Sequence, residues 1–170
     1  MLGMRRPVYL GLGSNVGDRE GAVKEALERL AARGFRTTLA SSLWLTEPVG
    51  GPPQGWFVNA AAGGETALPP EALLEACLAV ERDMGRMRTV RNGPRRIDVD
   101  ILLFGAERRD GPGLVVPHPR LHERRFVLEP LAEIAPGALH PVLGLTAAEL
   151  LARCPDVSTV RRHAPTRTTA

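Results

Sequence analysis

The sequence predicts an α+β fold in which a mainly antiparallel sheet carries helices packed on one face, the arrangement of a ferredoxin-like sandwich. Two observations support this prediction. Strand-like runs and runs with helical spacing follow each other in the order strand, helix, strand, strand, helix, strand. The length of 170 residues, of which 44% are hydrophobic, also suits one domain, residues 1–170, with a substantial core.

The first two elements are a strand and a helix. Val8–Leu12 is a short apolar run typical of a buried strand, and Gly13–Asn15 ends it. Helical spacing begins after Asp18, and Gly34 is expected to end the helix, because glycine readily adopts the left-handed conformation that this position needs. The apolar positions of the helix are Val23, Ala26, Leu27, Leu30 and Ala31.

Two strands joined by a rigid loop come next. The run 37–46 alternates and is rich in β-branched residues, and its core candidates include Leu39, Leu43 and Leu45. Residues 47–55 are rich in proline and glycine, which excludes regular structure. The strand that follows is Trp56–Ala62.

The second half begins with another helix and another strand. Pro70 suits the first turn of a helix that extends to about Met84. Gly85–Arg96 is an arginine- and glycine-rich loop, and Ile97–Phe104 has the composition of a strand. Leu114–Val116 is expected to add a short strand.

The remaining residues are apolar pieces that prolines interrupt. We expect one more helix at Ala147–Arg153 and a polar, frayed tail from about residue 157 to residue 170.

Composition argues against several classes of protein. Cys77 and Cys154 form no disulfide or zinc motif, and Cys77 lies in a helical run where a small apolar side chain is expected. The apolar run Val8–Leu12 is too short for a signal segment or a membrane span. We therefore expect a cytoplasmic protein that acts as a monomer and binds no membrane.

Asp98 and Asp100 are the strongest chemical signal in the sequence. Because strand side chains alternate, both carboxylates point to one face while Ile97, Val99 and Ile101 point to the other. Two like charges roughly 6.5–7 Å apart at their Cα atoms on an apolar strand repel each other and lose hydration. Mg²⁺ relieves both effects, because it binds one or two carboxylates together with phosphate oxygens. An ordinary solvated strand face is the alternative that the pair alone leaves open.

Arginines crowd the segment immediately before this pair. With Gly85, Gly93 and Pro94 they form a basic loop of the kind that stabilises a polyphosphate. A surface for nucleic acid is the alternative, but the loop holds no aromatic residue that could stack on bases. The arginines are Arg82, Arg86, Arg88, Arg91, Arg95 and Arg96.

Four further residues stand out without deciding a function. Glu81 falls in the apolar face of its helix, where it either positions an arginine or a ligand or forms an internal salt bridge. His118 lies between two prolines on a stiff backbone. Phe57 and Phe126 are either core residues or stacking partners for a flat ring.

Several short motifs in a fixed order carry a family resemblance. The most specific is Arg91-x-Gly93-Pro94-Arg95-x-x-Asp98-Val99-Asp100-Ile101-Leu102. The others are Gly11-x-Gly13-Ser14-Asn15, Asn59-Ala60-Ala61, Val116-Pro117-His118 and Arg124-x-Phe126. From Val8 to about Leu143 the chain resembles the 6-hydroxymethyl-7,8-dihydropterin pyrophosphokinase family of folate biosynthesis.

The resemblance implies an enzyme that transfers diphosphate from ATP to the hydroxymethyl group of the pterin and releases AMP. It implies that Asp98 and Asp100 bind two Mg²⁺ ions that bridge the ATP phosphates. Arg86 and Arg95 would hold the phosphate chain and stabilise the charge that shifts to the leaving AMP. The other implied contacts to ATP are Arg88, Ile101, His118 and Arg124.

The same resemblance implies a pterin site. The ring would stack between Phe57 and Phe126. Its edge would be read by Asn59 and by the backbone of the loop that contains Thr46 and Val49. ATP and the hydroxymethyl dihydropterin are then the expected partners, with no nucleic acid.

The sequence departs from the family pattern at a few positions. Phe57 stands where tyrosine is expected, Asn92 where some members carry tryptophan, and Gly113 and Val115 replace polar residues near the nucleotide. We expect the stretch 86–94 to be the most mobile internal segment without ligand and to close over bound MgATP, so that nucleotide strengthens pterin binding.

Rival functions fit less well. Gly11, Gly13 and Gly17 miss the spacing of a dinucleotide-binding loop, and no phosphate-loop lysine motif is present. A basic ferredoxin-like module that binds RNA is the non-enzymatic alternative, and its binding would weaken steeply with salt.

Overall fold

The computed structural model describes residues 6–85 and 94–163. Its strands are β1 (Arg6–Ser14), β2 (Phe35–Ala40), β3 (Trp44–Thr46), β4 (Phe57–Thr66), β5 (Asp98–Phe104), β6 (Arg109–Asp110), β7 (Val115–Val116) and β8 (Val160–Arg162). Its helices are α1 (Arg19–Ala31), α2 (Pro70–Asp83), α3 (Arg125–Ile134) and α4 (Ala147–Ala152), with a 3₁₀ turn at Leu121–Glu123.

One antiparallel sheet organises the molecule. Its strands follow the order β5-β1-β4-β3-β8, and β2 pairs with the half of β4 that β3 leaves open. β6 and β7 pair separately as a small two-stranded sheet. Every strand pairing in the described parts of the chain is antiparallel, which confirms the predicted α+β class.

Helices cover both faces of this sheet. Alternate residues of β1 divide between two cores: Val8, Leu10 and Leu12 pack with α1 and α2, whereas Tyr9 packs with α3 and α4. Successive strand residues point to opposite faces, so the two cores lie on opposite sides of the sheet. The expectation of helices on one face is therefore wrong, and the molecule has three layers.

The first two helices begin where the sequence predicts. Asp18 caps α1 by accepting a hydrogen bond from the Gly21 N–H at 3.0 Å, and Gly34 follows the helix with a φ of 105°. α2 starts at Pro70, which needs no donor in the first turn. Cys77 is fully buried in α2, and burial raises the pKa of its thiol to about 12, which confirms its role as a small apolar side chain.

The predicted strand at 37–46 is two strands. Ser41 lies in the break between them and bonds to Ala61 of β4. Its N–H donates to the Ala61 carbonyl at 2.9 Å, and its Oγ accepts from the Ala61 N–H at 2.9 Å. A register shift in β2 turns Leu39 outward, so that it is 48% exposed. Placing Leu39 in the core is wrong, whereas Leu43 packs against the first core as predicted.

α3 is a helix that the sequence did not predict. Pro130 lies inside this helix, and the prolines of the region suggested only broken apolar pieces. One proline removes one backbone hydrogen bond, which a helix packed on a sheet can tolerate. The helical signal was present in Leu128, Leu131 and Ala135, which recur at helical spacing and are all buried.

β8 corrects the first part of the expected frayed tail, residues 157–170. Val160–Arg162 pairs with β3 at the edge of the sheet, although residues 164–170 lie outside the described part of the chain. The predicted helix near Ala147 is confirmed as α4, where Thr146 and Glu149 form a reciprocal cap. Over the described residues, no helix is both long and apolar enough to cross a membrane.

Candidate active site

The candidate site lies where β1, β4 and β5 run side by side. The strand register places Gly13 of β1 opposite Asp98 of β5 on one side and opposite Asn59 of β4 on the other. Gly11 is likewise opposite Asp100. Residues that oppose each other in an antiparallel sheet point to the same face. The acidic pair and Asn59 therefore share the face that α3 covers.

Gly13 makes room for Asn59 on this face. A Cβ atom at Gly13 would lie 2.3 Å from Asn59 Oδ1 and 3.7 Å from Phe57 Cδ1. The amide of Asn59 therefore occupies the space that any larger residue would need, and its Nδ2 donates to Thr46 Oγ1 at 2.7 Å. Asn59 and Thr46 are both buried, 9% and 1% exposed, which fixes their orientation.

The acidic pair sits among arginines. Arg95 donates from Nη1 to Asp98 Oδ1 at 3.3 Å, with both side chains only partly exposed. Burial and the neighbouring Arg120 lower the pKa of Arg124, while the carboxylates of Asp100 and Asp98 oppose that shift. Positive charge thus flanks both carboxylates, which is the arrangement that an anion approaching a metal ion requires.

The donor set of the pair suits Mg²⁺ better than a transition metal. Among residues 6–85 and 94–163, no group of three or more His, Cys, Asp and Glu side chains is placed to hold a metal ion. Carboxylate oxygens are donors that suit Mg²⁺, an ion that completes its shell with phosphate oxygens and water. Asp98 and Asp100 therefore fit the ion that the sequence predicted.

His118 lies near the acidic pair, in the segment before the 3₁₀ turn. The His118 N–H donates to the Leu102 carbonyl of β5 at 3.0 Å, which anchors the residue beside the acidic strand. Burial lowers the pKa of His118 to about 4; Arg124 adds to the effect and Asp98 opposes it. The imidazole is therefore neutral at pH 7. The guanidinium of Arg124 lies over the Phe126 ring, 5.6 Å from its centre.

The remaining residues predicted to bind the pterin are Phe57 in β4 and Val49 in the loop after β3. Phe57 is two residues before Asn59 in β4, so both side chains point to the same face. It pairs with Thr46 across β3 and β4. Val49, in the loop that follows, is 50% exposed.

Ile101 is placed differently from the other residues predicted to contact ATP. Its side chain is 5% exposed and packs in the first core, on the opposite face from the acidic pair. Only its backbone is available to a ligand. Arg86 and Arg88, and most of the stretch predicted to close over ATP, lie outside the described residues.

Glu81 is directed inward, as its place on the helix predicted. It is 2% exposed, and its Oε2 accepts a hydrogen bond from the Val99 N–H at 2.9 Å. Val99 lies between Asp98 and Asp100 on the edge strand β5. Glu81 therefore holds the backbone that carries the acidic pair.

Asn15 joins the two loops of the site, a role that the sequence analysis did not assign. Its Nδ2 donates to Gln54 Oε1 at 2.8 Å and to the Gly55 carbonyl at 3.0 Å, at the end of the loop after β3. Its Oδ1 accepts from the Arg95 N–H at 2.7 Å, and its own N–H donates to the Arg95 carbonyl at 3.0 Å. The sequence feature that could have indicated this role is the position of Asn15 directly after Gly13 and Ser14, where β1 ends.

Comparison with known proteins adds a family to this geometry. A family model described as 7,8-dihydro-6-hydroxymethylpterin-pyrophosphokinase matches residues 9–136. The 2-amino-4-hydroxy-6-hydroxymethyldihydropteridine pyrophosphokinase of Methylorubrum extorquens is 45% identical over 155 residues, covering 91% of this chain and 96% of that protein. The protein of the same name from Bacillus subtilis is 47% identical over 132 residues, covering 77% and 79%.

Longer proteins contain a similar region. The folic acid synthesis protein fol1 of Pneumocystis carinii is 37% identical over 88% of this chain, which spans only 20% of that protein. The wild-type HPPK-DHPS of Plasmodium falciparum, solved with pteroate, superposes with a TM-score of 0.70 at 16% identity, over 88% of this chain and 42% of that one. At that identity the structural likeness shows the fold.

Proposed function

The chain belongs to the 7,8-dihydro-6-hydroxymethylpterin-pyrophosphokinase family, and from this premise we propose how its residues carry out the reaction. A pyrophosphokinase of folate biosynthesis moves the terminal diphosphate of ATP to the hydroxymethyl group of the dihydropterin. The new bond joins the hydroxymethyl oxygen to the β-phosphorus of ATP. The bond from that phosphorus to the AMP oxygen breaks, the hydroxyl proton is released, and the pterin diphosphate and AMP are the products.

The observation that supports this assignment most directly is the row formed by Asp98, Gly13 and Asn59. It puts a pair of acidic residues and a buried amide on one face of the sheet, separated only by a glycine. An amide with its partners fixed is suited to reading the edge of a flat heterocycle. The two reactants would then meet over Gly13, with phosphates at the acidic end and pterin at the amide end.

Asp98 and Asp100 would hold two Mg²⁺ ions beside the phosphates. Bound Mg²⁺ supplies positive charge that neutralises the phosphate oxygens and makes the β-phosphorus easier to attack. Arg95 contacts Asp98, and its guanidinium would take up charge on the leaving AMP. Arg86 would act with it on the phosphate chain. Glu81 supports the pair by fixing the Val99 backbone.

The remaining contacts to ATP would come from Arg88, the Ile101 backbone, His118 and Arg124. Because His118 is neutral at pH 7, it would donate or accept a hydrogen bond without adding charge. Arg124 is partly buried near both carboxylates and would pair with a phosphate.

The proposed pterin site would be formed by the side chains of Thr46, Phe57, Asn59 and Phe126 and by the backbone of Val49. The ring would stack between the two phenylalanines, and the Asn59 amide, already held by Thr46, would read its edge. Preorganisation of this kind lowers the entropy cost of binding and orients the hydroxymethyl group for in-line attack.

The alternative of an RNA-binding module is not supported, since proteins similar over most of the chain are named as pyrophosphokinases.

A product assay tests the proposal. The purified chain incubated with ATP, Mg²⁺ and 6-hydroxymethyl-7,8-dihydropterin should form AMP and pterin diphosphate in equal amounts, and omission of Mg²⁺ should stop the reaction. Asp98→Asn and Asp100→Asn should abolish turnover, whereas Asp83→Asn, which alters an exposed carboxylate paired with Arg33, should not. Formation of ADP in place of AMP would contradict the reaction.

A further inference from the structure

Residues 156–163, which we call the strap, connect two parts of the proposed pterin site that are far apart in sequence. We propose that the strap is a positioning element that sets the separation between α3, which carries Phe126, and the strands β3 and β4, which carry Thr46, Phe57 and Asn59. This inference rests on the proposed function of the site.

The strap first contacts the start of α3. Arg124, which precedes the helix, provides no side-chain cap. Asp156 supplies one from outside: its Oδ2 accepts from the Arg125 N–H at 3.0 Å, and its Oδ1 accepts from the Ser158 N–H at 2.9 Å. A carboxylate at a helix N-terminus also interacts favourably with the helix dipole. Phe126 is the next residue of α3, so this cap lies beside one side of the pterin site.

The strap then extends β3 by a strand. The Glu47 N–H donates to the Thr159 carbonyl at 3.1 Å, and the Thr159 N–H donates to Glu47 Oε1 at 2.6 Å. At the other end of the pairing, the His163 N–H donates to the Leu43 carbonyl at 2.8 Å. These bonds enclose β3 from both ends. β3 includes Thr46, whose hydroxyl holds the Asn59 amide.

Two arginines of the strap cover two tryptophans at the same edge. The guanidinium of Arg161 lies 5.6 Å from the centre of the Trp56 ring, and that of Arg162 lies 5.5 Å from the centre of the Trp44 ring. Trp56 precedes Phe57, and Trp44 is opposite Asn59 in the sheet. They are the only two tryptophans of the chain.

Glu133 of α3 contacts both the strap and the residues around β3. Its carboxylate lies on α3 and accepts from Trp44 Nε1 at 2.9 Å and from Ser42 Oγ at 2.7 Å. Arg162 of the strap approaches the same carboxylate at 3.9 Å. The strap and Glu133 therefore tie α3 to β3 at two points.

Loosening the strap should weaken pterin binding and leave the rate of the chemical step unchanged. The acidic pair lies on β5, at the opposite edge of the sheet from β8. Loosening the strap would lower the fraction of molecules with a correctly spaced pterin site, and the apparent affinity falls by that fraction. Contacts to ATP from the acidic pair, Arg95 and His118 would be unaffected.

Steady-state kinetics of the full chain test this proposal. The double variant R161Q/R162Q should raise the KM for the pterin by about three- to ten-fold, with kcat and the KM for ATP unchanged. The single variant D156N should raise the KM for the pterin to a similar extent and the KM for ATP much less, because its cap also adjoins Arg124. R161P should have a larger effect, because the strand alternation directs the Arg161 N–H at β3 and proline has none. R161K/R162K keeps both cations and should restore most of the affinity.

R153Q is the matched control, since Arg153 is an exposed arginine shortly before the strap, whereas the arginines over the tryptophan rings are Arg161 and Arg162. It should bind the pterin as the wild type does. The intrinsic fluorescence of the chain, which comes from Trp44 and Trp56, should change in R161Q/R162Q and not in R153Q.

Circular dichroism and thermal melting establish that each variant is folded. A folded R161Q/R162Q or D156N variant with an unchanged KM for the pterin would overturn the proposal, as would an equal loss of ATP affinity. If the wild type itself forms no AMP, the proposed function fails and not the strap; in that case the fluorescence of the variants, titrated with pterin alone, still decides whether the strap controls the site.

Discussion

Substitution of Gly13 by alanine should damage the proposed pterin site and leave the ATP contacts intact. The added Cβ would lie 2.3 Å from Asn59 Oδ1, a separation that non-bonded carbon and oxygen atoms do not adopt. Asn59 must then turn away, which breaks its 2.7 Å hydrogen bond to Thr46 and moves its amide off the pterin edge. Because Asn59 is 9% exposed, it has little room to find a new partner.

The size of the effect follows from the bonds that are lost. A hydrogen bond contributes about 1 kcal/mol net, so losing about two bonds to the pterin would weaken binding by roughly 2 kcal/mol, or about 30-fold. The broken Asn59–Thr46 bond would in addition lower the free energy of unfolding by about 1–3 kcal/mol, since both groups are buried.

Gly11→Ala is the matched control for this substitution. Gly11 lies two residues earlier on the same face, but its Cβ would meet only the end of the Leu102 side chain, at 3.3 Å, which can shift. Calorimetric titration with the pterin, in the presence of Mg²⁺ and a non-hydrolysable ATP analogue, measures both variants. Equal pterin affinity in G13A and G11A would refute the assignment of Asn59 to the pterin edge.

Three further predictions concern other residues of the site. Asp98→Ala or Asp100→Ala should lower kcat by at least about 100-fold without unfolding the chain; near-normal kcat in both would mean that the pair is only surface. Phe126→Ala should weaken pterin binding by about 1–3 kcal/mol and ATP binding much less, judged by stacking of bases on aromatic rings, and equal losses in calorimetry would indicate a core role. The pKa of His118 is lowered to about 4 in the folded chain, so the unfolded chain binds the extra proton first and stability falls as pH drops from about 6.5 toward 4. His118→Gln should therefore remove about 2 kcal/mol of the stability difference between pH 7 and pH 5 in urea unfolding without Mg²⁺, and an unchanged difference would contradict the burial of the imidazole.

The parts of the fold that could be predicted are those that a local pattern determines. β1, α1, α2 and β5 each have a clear periodicity and a recognisable end, and all were predicted. α3 was missed because Pro130 masked its periodicity, and that error led to the expectation of helices on one face. Local pattern also could not show that the strap pairs with β3, since that contact joins residues more than a hundred positions apart.

The residues of the site, too, could be predicted only where a local pattern determines their position. Alternation along β5 placed Asp98 and Asp100 on one face, and helical spacing directed Glu81 inward. The partners of these residues depend on strand register, which sequence spacing does not reveal. The position of Asn59 over Gly13 and the bonds from Asn15 to two loops are therefore known only from the structure.

Asp98 and Asp100 are proposed to hold the metal ions that act on the ATP phosphates. Counting bound Mn²⁺, as a spectroscopic substitute for Mg²⁺, tests this claim most directly. Electron paramagnetic resonance titration with a non-hydrolysable ATP analogue and pterin should give two bound ions per chain in the wild type, and D98A/D100A should lose both while D83N retains them. An unchanged count in D98A/D100A would contradict the claim, because the ions would then be held elsewhere.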